Sequence, residues 1–383
     1  MRKNIAIVGV GETAPTRSAG KDVRALAVDA ALAALEDAGL DPSDVDGIMS
    51  DGGIMPSSVP HEWLAAQLGV NSYFDASISY GGTGVCAAPM IAEMAIREGL
   101  ANVVLFYFGV DWGTRPGGPY GFHDIYPAKM AFEKPYGFNG QPSYFALWAR
   151  RYMHEYGLDE RDLATIAVTQ RDNAMRHGGG QAKRPLSYDD YFASRMISDP
   201  LRISDCCLIS DGVGAYVMTS ADRARDCRKR PVEVLGVGYA AEPITGDDVF
   251  TQKPAMLHLP SVAEASRRAQ QRAGVTLDDV DFAEIYDCFT ISCLMQIEDI
   301  GFCGKGEAAA FIREKGIGID DGLPVNTHGG MLSYSYRLGI EHVVEAVRQL
   351  RGECGDAQVK DASIGLVSGL SVPEYGVLML GRG

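Results

Sequence analysis

Ala34–Ile48 reads A-L-E-D-A-G-L-D-P-S-D-V-D-G-I, and Ala269–Ala283 reads A-Q-Q-R-A-G-V-T-L-D-D-V-D-F-A. Without a gap, the two stretches share the pattern A-x-x-x-A-G-x-x-x-x-D-V-D, whose six identities recur at a shift of 235 residues (269 − 34). Chance rarely aligns so many identities in one short stretch, so we interpret the chain as an internal duplication. Each copy is predicted to contain the end of a helix, a turn that carries Asp-Val-Asp, and the start of a strand.

The sequence around each copy repeats the same order of elements. Arg2–Val10 is a short apolar run typical of a buried strand, and Asp22–Ala38 has the spacing of a helix that ends at Gly39. Later in each half, a helix preceded by glycine is followed by an apolar strand. These pairs are Gly81–Gly99 with Val103–Phe108, and Gly329–Leu350 with Ser363–Val367. Strands that alternate with helices in this way predict two layered α/β halves.

A segment of different composition lies between the halves. Gly113–Tyr136 is rich in glycine, proline and aromatic residues, and Tyr144–Tyr156 and Arg161–His177 have helical spacing. We predict an inserted cap over the functional site, with a purely structural function as the alternative. Its candidates for facing a substrate are His123 and Asp124. The predicted domains are residues 1–111 together with 204–225, the insertion 112–203, and residues 230–383.

Composition narrows the function classes. With 50 Asp and Glu against 35 Lys and Arg, the net charge is −15, which argues against nucleic-acid binding because phosphate recognition needs a basic surface. No run approaches the ~18 apolar residues of a membrane helix, and the N-terminus does not resemble a signal peptide. The eight cysteines show no C-x-x-C metal spacing, and a reducing cytoplasm is the expected location.

Two motifs in the second half carry the candidate functional residues. Asn326–Gly339 reads N-T-H-G-G-M-L-S-Y-S-Y-R-L-G, and Ala283–Phe289 reads A-E-I-Y-D-C-F. The first resembles the N-x-x-G-G, spacer and G-H-P-x-G of the thiolase superfamily. The second resembles the E-x-H-D-C-F of its sterol-carrier-protein-type branch. Tyrosine stands at both histidine positions, as Tyr336 and Tyr286. Further stretches that resemble this branch are Arg150–Gly157, Asp199–Leu201, Ser204–Gly214 and Thr219–Ala224.

The thiolase cysteines are missing as well. Where thiolases place their nucleophile in C-x-x-G, Ser79–Gly84 reads S-Y-G-G-T-G, and the region of the second cysteine, Val367–Gly376, contains none. Cys86 lies beyond this stretch, at or inside the start of the following helix, and is expected to be a packed side chain. Condensation through an acyl-enzyme needs a thiolate and a base, so thiolase chemistry is not predicted. The substitutions instead resemble the aldolases that cleave steroid side chains, a thiolase-like family with two active-site tyrosines.

This resemblance implies the five-layered α-β-α-β-α thiolase fold, an obligate dimer, and retro-aldol cleavage of a bulky β-hydroxyacyl-CoA. The implied substrate is a 17-hydroxy steroid with a propionyl-CoA side chain, which yields a 17-ketosteroid and propionyl-CoA. Coenzyme A enters as part of the substrate; no covalently bound cofactor and no metal site are predicted. Members of the family need a partner with a zinc-ribbon and OB-fold domain, usually attached to an enoyl-CoA hydratase, and such a partner is expected here.

By the same resemblance, Tyr286 and Tyr336 are the catalytic pair. A phenol donates a hydrogen bond to an enolate and a phenolate accepts a proton, but the ordinary tyrosine pKa of ~10 must be lowered for the second use. The candidate cations for lowering it are His328, Arg337 and Lys305. The predicted supporting or substrate-binding residues are Asn326, His328, Gly329, Gly330, Asp287 and Tyr80.

Two alternatives stay open at this point. An acyl-CoA acyltransferase of the sterol-carrier-protein thiolase type would need Cys86 or Cys288 as a substitute nucleophile. A catalytically inactive homologue would bind lipid acyl-CoA or act as a scaffold. Within the aldolase interpretation, the sequence leaves open which tyrosine is the base and which one donates to the enolate oxygen.

Overall fold

The structure is a computed structural model of the 383-residue chain, described here for residues 4–51, 58–119, 127, 129–138, 140–243 and 256–383. His123 and Asp124 lie outside the described residues. The strands are β1 (Ile5–Glu12), β2 (Gly47–Asp51), β3 (Phe74–Ile78), β4 (Val103–Asp111), β5 (Met196–Ser198), β6 (Leu201–Arg202), β7 (Asp211–Ser220), β8 (Val232–Ala241), β9 (Phe282–Glu284), β10 (Ile364–Leu370) and β11 (Glu374–Arg382). The helices are α1 (Val23–Ala38), α2 (His61–Leu68), α3 (Gly84–Arg97), α4 (Gln141–Tyr156), α5 (Glu160–His177), α6 (Tyr188–Ala193), α7 (Ala221–Ala224), α8 (Pro260–Ala273), α9 (Thr290–Ile300), α10 (Ala308–Lys315), α11 (Gly330–Ser333) and α12 (Ile340–Arg351).

The main sheet has the strand order β3-β2-β4-β7-β1-β8-β11-β10-β9, and its two ends are built alike. In the first half, β2 is parallel to β3 and β4, and β7 is antiparallel to β4 and β1. In the second half, β9 is parallel to β10, and β11 is antiparallel to β10 and β8. A parallel bridge between Ala283 and Val325 stands where β3 stands in the first half. The halves join where β1 meets β8, at Ala6–Glu233 and Ile7–Val232.

The two halves of the main sheet form two layers of the molecule, and helices form three more. The helix α1 packs on β1, β4 and β7, and α8 packs on β8 and β11, so each covers the outer face of one half. Between them, α3 and α12 each contact strands from both halves. The resulting order is helix, sheet, helices, sheet, helix, which confirms the predicted five-layered α-β-α-β-α fold. Because α3 and α12 are enclosed by the two halves of the main sheet, the segments that lead into them lie at the centre of the molecule.

Two positions of the duplicated pattern, the glycine and the last aspartate, have the same structural function in both halves. Gly39 and Gly274 end α1 and α8 in the left-handed conformation, with φ of 71° and 72°, which glycine adopts without a steric cost. Asp46 accepts hydrogen bonds from the backbone N–H groups of Asn102 (2.7 Å) and Val103 (2.8 Å), where β4 begins. Asp281 accepts the equivalent bonds from Ser363 (2.8 Å) and Ile364 (2.9 Å) at β10. The last aspartate of the pattern therefore ties the segment before β2 to the start of β4, and the segment before β9 to the start of β10.

The segment between the halves contacts the motif that carries Tyr336. It contains α4, α5, α6 and the β5–β6 hairpin. The backbone N–H groups of Gln181 and Ala182 donate to the carbonyls of Tyr334 (2.7 Å) and Ser333 (3.0 Å). In addition, Arg171 Nε on α5 donates to Ser333 Oγ at 2.9 Å. These contacts agree with a cap on the functional region, while its exact boundaries remain a prediction.

Within the described ranges, none of the helices combines the length and the apolar character that a crossing of the bilayer demands.

Candidate active site

The two tyrosines that stand at histidine positions meet in the interior. Tyr286 follows β9, and Tyr336 lies in the turn between α11 and α12. Their hydroxyl oxygens are 2.9 Å apart, a hydrogen-bond distance, and their rings meet edge to face with centroids 6.2 Å apart. Tyr286 is only 3% exposed, and Tyr336 is half-buried. Tyr286 and Tyr336 are 50 positions apart in the sequence, and the fold brings their hydroxyls into contact.

Hydrogen bonds to the backbone hold both tyrosines in place. The N–H of Tyr286 donates to Ser368 Oγ (3.0 Å), and its carbonyl accepts from Gln296 Nε2 (2.6 Å). The N–H of Tyr336 donates to Ser210 Oγ at 3.0 Å. The ring of Tyr336 also packs against Trp112, with centroids 4.9 Å apart. Four different parts of the chain therefore fix the geometry of the pair.

Burial keeps both phenols neutral. It raises the pKa of Tyr286 well above its ordinary value, and the neighbouring Tyr336 raises it further. Burial likewise raises the pKa of Tyr336, and the nearby thiol of Cys207 raises it further. Both shifts run opposite to the lowering that a tyrosine would need to act as a base, so both hydroxyls are neutral near pH 7.

Each candidate cation is engaged with a carboxylate elsewhere. Arg337 pairs with Glu12 on β1 and donates to the carbonyl of Thr13 at 3.0 Å. Lys305 pairs with Glu298 (3.2 Å) and Asp299 (3.1 Å), and His328 Nδ1 lies 3.1 Å from Glu284. Arg337 follows Tyr336 directly in sequence, but its side chain extends toward the first half of the molecule.

A glycine turn occupies the position of the thiolase nucleophile. Gly81–Thr83 forms a single 3-10 turn that leads into α3. A side-chain carbon on Gly82 would lie 2.3 Å from Cε2 of Tyr286 and 2.7 Å from the carbonyl oxygen of Leu370. The turn therefore needs glycine at this position, because the ring of Tyr286 fills the space beside it.

Cys86 is a packed residue inside α3, as the sequence predicted. It is fully buried, its thiol contacts the carbonyl oxygen of Val367 at 3.7 Å, and burial raises its pKa. A buried thiol with a raised pKa gives little thiolate, and thiolate is the nucleophilic form. Cys288 is also buried, and burial raises its pKa to about 12. Neither cysteine has the electropositive, accessible surroundings of a nucleophile.

Replacing Cys86 with alanine is therefore expected to leave the rate of substrate cleavage within about twofold of wild type. The loss of one small buried side chain costs about 1 kcal/mol of the free energy of unfolding. Turnover assays on the purified variant, with urea unfolding as the measure of stability, test this. Loss of turnover in a stable variant would instead favour the acyltransferase interpretation, with Cys86 as the nucleophile.

The structure shows a buried acid beside this turn that the sequence analysis missed. Asp51 ends β2, and its Oδ2 atom has no hydrogen-bond partner. A side-chain carbon on Gly84 would come within 1.6 Å of that oxygen, so glycine makes room for the carboxyl group at the start of α3. Burial raises the pKa of Asp51 to about 8. The backbone N–H groups of Gly81 and Tyr80 act in the opposite direction and lower it, while the carboxylate of Glu374 raises it slightly further. Asp51 is therefore mostly protonated at neutral pH.

Replacing Asp51 with asparagine is expected to stabilise the protein increasingly as pH rises from 4 to 8. An acid whose folded-state pKa is raised binds its proton more tightly when folded, so folding loses stability from the unfolded pKa of ~3.9 up to the folded pKa. Asparagine removes this loss, which is about 2 kcal/mol at pH 7 after allowance for relaxation. Urea unfolding at pH 5 and pH 8 measures it, with the exposed Asp75→Asn variant as control. An equal effect at both pH values would contradict the assignment.

The asparagine and the glycines of N-x-x-G-G shape the loop before Tyr336. Asn326 pairs with the backbone of Ile285 through both side-chain atoms, at 2.6 Å and 2.9 Å. Gly329 and Gly330 have φ of 102° and 61°. A side-chain carbon on Gly330 would lie 2.1 Å from Oδ2 of Asp287. Asn326 and Gly330 therefore pack the loop against the segment that carries Tyr286.

Tyr80 lies at the other side of the turn, with a half-buried ring. Its ring packs against Tyr239 on β8 with centroids 5.0 Å apart. Its backbone carbonyl accepts from the N–H of Thr83 at 3.2 Å. The structure places Tyr80 next to the turn, and its substrate contact stays a prediction.

A cluster of buried carboxyl and imidazole side chains lies next to Tyr286. Its members are Glu284, Asp287, His328 and His342. Ligand atoms of Glu284, His328 and His342 lie within 4.8 Å of one another, a donor set that a divalent metal can use. His328 lies 3.1 Å from Glu284, and His342 lies 3.4 Å from both Glu284 and Asp287, but neither imidazole has a hydrogen-bond partner among the described residues. Glu284 belongs to the A-E-I-Y-D-C-F motif but was not singled out as a candidate, and His342 lies three residues beyond the end of the other motif, Asn326–Gly339.

Comparisons with known proteins identify the family. The thiolase C-terminal domain-like family model matches residues 245–374. A 17-hydroxy-3-oxo-4-pregnene-20-carboxyl-CoA lyase from Mycobacterium tuberculosis is 35% identical over 98% of this chain and 98% of its own length. A steroid side-chain-cleaving aldolase from Thermomonospora curvata is 33% identical over 98% of this chain and 97% of its own. The solved structure of an Ltp2-ChsH2(DUF35) aldolase superposes with a TM-score of 0.91 at 34% identity, over 99% of this chain and 98% of that one.

These relatives confirm the predicted enzyme class, a carbon–carbon lyase. The match extends over nearly the whole length of both chains, and its identity exceeds what fold similarity alone explains. The chain therefore belongs to the thiolase superfamily, in the sterol-carrier-protein-type branch that includes the steroid side-chain-cleaving aldolases.

Proposed function

We propose that this protein is a coenzyme A-dependent aldolase that cleaves a bulky β-hydroxyacyl-CoA by a retro-aldol reaction. The proposed substrate is a 17-hydroxy steroid with a propionyl-CoA side chain, and the products are a 17-ketosteroid and propionyl-CoA. The observation that carries the proposal is the contact of 2.9 Å between the hydroxyls of Tyr286 and Tyr336, at the two positions where thiolases have histidine. Glycine at the nucleophile position supports chemistry without an acyl-enzyme.

The reaction needs one proton removed and one proton delivered. The β-hydroxyl gives up its proton, the bond between the α and β carbons breaks, and the electron pair moves into the thioester as an enolate while the ketone forms. Protonation of the enolate carbon completes the acyl-CoA product. No net proton is gained or lost, so the chemistry suits a site whose groups begin and end neutral.

Two touching neutral phenols fit this requirement. One tyrosine accepts the substrate proton while its own proton passes across the contact to the second tyrosine, which protonates the enolate. Because both pKa values are raised by burial, a free phenolate is avoided and each transfer is coupled to the next. Either tyrosine can be the one that accepts the proton of the substrate β-hydroxyl.

The proposed assembly includes a second protein. The solved aldolase with a TM-score of 0.91 is a complex of Ltp2 with ChsH2(DUF35). By that likeness, we expect this chain to work with a protein that carries a zinc-ribbon and OB-fold domain, around a homodimeric core. Membership in the same branch and similarity over 99% of the chain support the expectation.

The test is a cleavage assay on the purified protein with and without this partner, supplied with the 17-hydroxy steroid propionyl-CoA thioester. Release of propionyl-CoA and a 17-ketosteroid in equal amounts is the expected result. Consumption of a 3-oxoacyl-CoA and free coenzyme A would show a thiolase instead. Saturable binding without any turnover, in the presence of the partner, would show an inactive homologue and overturn the proposal.

A further inference from the structure

Three buried side chains from separate elements meet next to the segment that carries Tyr286. Glu284 ends β9, His328 lies in the loop before α11, and His342 lies in the first turn of α12. All three residues are fully buried. One ligand atom of each lies within 4.8 Å of the other two. The fold therefore gathers one carboxyl group and two imidazoles at a single point in its interior.

The distances within this group are those of ligands that share one metal ion. Glu284 Oε2 lies 3.1 Å from His328 Nδ1 and 3.4 Å from His342 Nδ1. In a tetrahedral zinc site with bonds of ~2.0–2.1 Å, neighbouring ligand atoms are about 3.3 Å apart. One carboxylate oxygen therefore lies at the tetrahedral spacing from a nitrogen of each imidazole.

The same atoms lack any other partner. Glu284 Oε2 and both ring nitrogens of His328 and His342 make no hydrogen bond within the part of the chain that the structure describes. Buried polar atoms are nearly always bonded, so such a concentration of unpartnered atoms needs an explanation. A direct pair would aim an N–H group at the oxygen, and neither ring does so. A cation that accepts a lone pair from Oε2 and from one nitrogen of each ring satisfies three of these atoms at once.

Neighbouring groups hold the three side chains in this arrangement. The N–H of Thr327 donates to Glu284 Oε1 at 3.1 Å, and the Thr327 hydroxyl lies 2.8 Å from the same oxygen, which leaves Oε2 for the imidazoles. On the far side of the His342 ring, Nε2 faces Asp287 Oδ1 at 3.4 Å. That oxygen is fixed by the N–H of Met331 at 2.8 Å. A carboxylate behind a metal-binding imidazole is the usual arrangement that orients the ring.

The donor types select the kind of metal. Two imidazoles and one carboxylate suit Zn²⁺, and imidazole ligands also suit Co²⁺. Mg²⁺ and Ca²⁺ take oxygen ligands and are disfavoured by the two nitrogens. No metal site was predicted from the sequence, because these ligands come from two motifs and from a helix beyond them, without a recognisable spacing.

We propose that Glu284, His328 and His342 bind one Zn²⁺ ion with a structural function. The ion joins the end of β9, which leads into Tyr286, to the loop and the helix on either side of Tyr336. The inference goes beyond the proposed function and does not depend on it, because no step of the cleavage passes through the ion. Its consequence is a metal content that can be measured without any substrate.

The test measures zinc in the full chain, produced in medium supplemented with Zn²⁺ and purified without a polyhistidine tag. The proposed partner is left out, because its zinc-ribbon would contribute metal of its own. His342→Gln and Glu284→Gln each remove one ligand. Glu284→Gln has almost the same shape as wild type, so it carries the test if His342→Gln does not fold. His177→Gln is the matched control, because His177 also lies 3.4 Å from a buried carboxylate, that of Glu345, but outside the ligand group.

We expect one Zn²⁺ per wild-type chain and the same content in His177→Gln. In the two ligand variants, competition with a chelator should show that the zinc affinity falls by more than about 100-fold. Asp287→Asn should lose only about 10- to 100-fold, since it removes the group that orients His342 and not a ligand. Protein produced with Co²⁺ should show the visible absorption of four-coordinate cobalt in wild type and control, and lose it in the ligand variants.

The outcomes separate this inference from the proposed function. Tyr286→Phe should keep the full zinc content while cleavage is lost, and wild-type protein that fails to cleave the steroid thioester would overturn the function without changing the metal count. A wild-type chain that contains neither zinc nor cobalt after production in the supplemented media overturns the site. Metal that both ligand variants retain in full also overturns it, since the ion would then be bound elsewhere.

Discussion

Phenylalanine in place of either Tyr286 or Tyr336 is expected to lower kcat for cleavage about 10³-fold, because each hydroxyl carries one step of the proton relay. The ring, and with it the packing against Gly82 and Trp112, is kept in both variants. Removing one hydroxyl leaves its partner unpaired in a buried site, at a cost of about 1–3 kcal/mol in the free energy of unfolding. The variants should therefore fold and bind acyl-CoA, and single-turnover assays on the partner complex measure the loss.

Two further variants make this result specific. Tyr334→Phe removes a buried hydroxyl from the same segment, one that donates to Glu12 at 2.8 Å, and kcat should stay within about threefold of wild type. The double variant without both hydroxyls of the pair should be little slower than either single variant, because groups that act as one unit are not additive. Wild-type kcat in either single variant, or losses that multiply in the double variant, would contradict the relay.

The fold was predictable because its decisive features are local and repeated. Gly39 and Gly274 end helices through contacts within a few residues of nearby sequence. Asp46 and Asp281 each bond to the backbone at the start of a neighbouring strand. The pairing of Tyr286 with Tyr336 was a hypothesis from two motifs that resemble one family. The structure places the two hydroxyls together, which a pattern in either motif alone could not have indicated.

The electrostatics of the site were not predictable in the same way. Arg337 adjoins Tyr336 in sequence, yet its side chain pairs with Glu12 on the opposite half. Conversely, His342 and Asp51 carry no motif and became visible only through their buried contacts. The pKa of a buried group depends on which charges the fold places within a few ångströms, and sequence distance does not report that.

Replacing Arg337 with methionine is expected to lower the free energy of unfolding by about 3–5 kcal/mol at pH 7, because it leaves a buried carboxylate short of its main cation. Arg337 is fully buried and joins the two halves of the molecule through Glu12 on β1 and the carbonyl of Thr13. Arg348 also pairs with Glu12, but its side chain is 30% exposed. Arg348→Met is therefore the matched control, with an expected loss of about 1 kcal/mol or less.

The pH dependence distinguishes the lost ion pair from lost packing. Burial alone would raise the pKa of Glu12, but Arg337 and Arg348 outweigh it and lower the pKa to about 2. A carboxyl group with a lowered folded-state pKa stabilises the fold above its unfolded pKa of ~4.3 and loses that contribution as pH falls toward the folded value. The stability difference between wild type and Arg337→Met should therefore shrink between pH 5 and pH 3. Urea unfolding at both pH values measures it; a constant difference would assign the loss to packing, and no difference at pH 7 would show that methionine replaces the buried pair without cost.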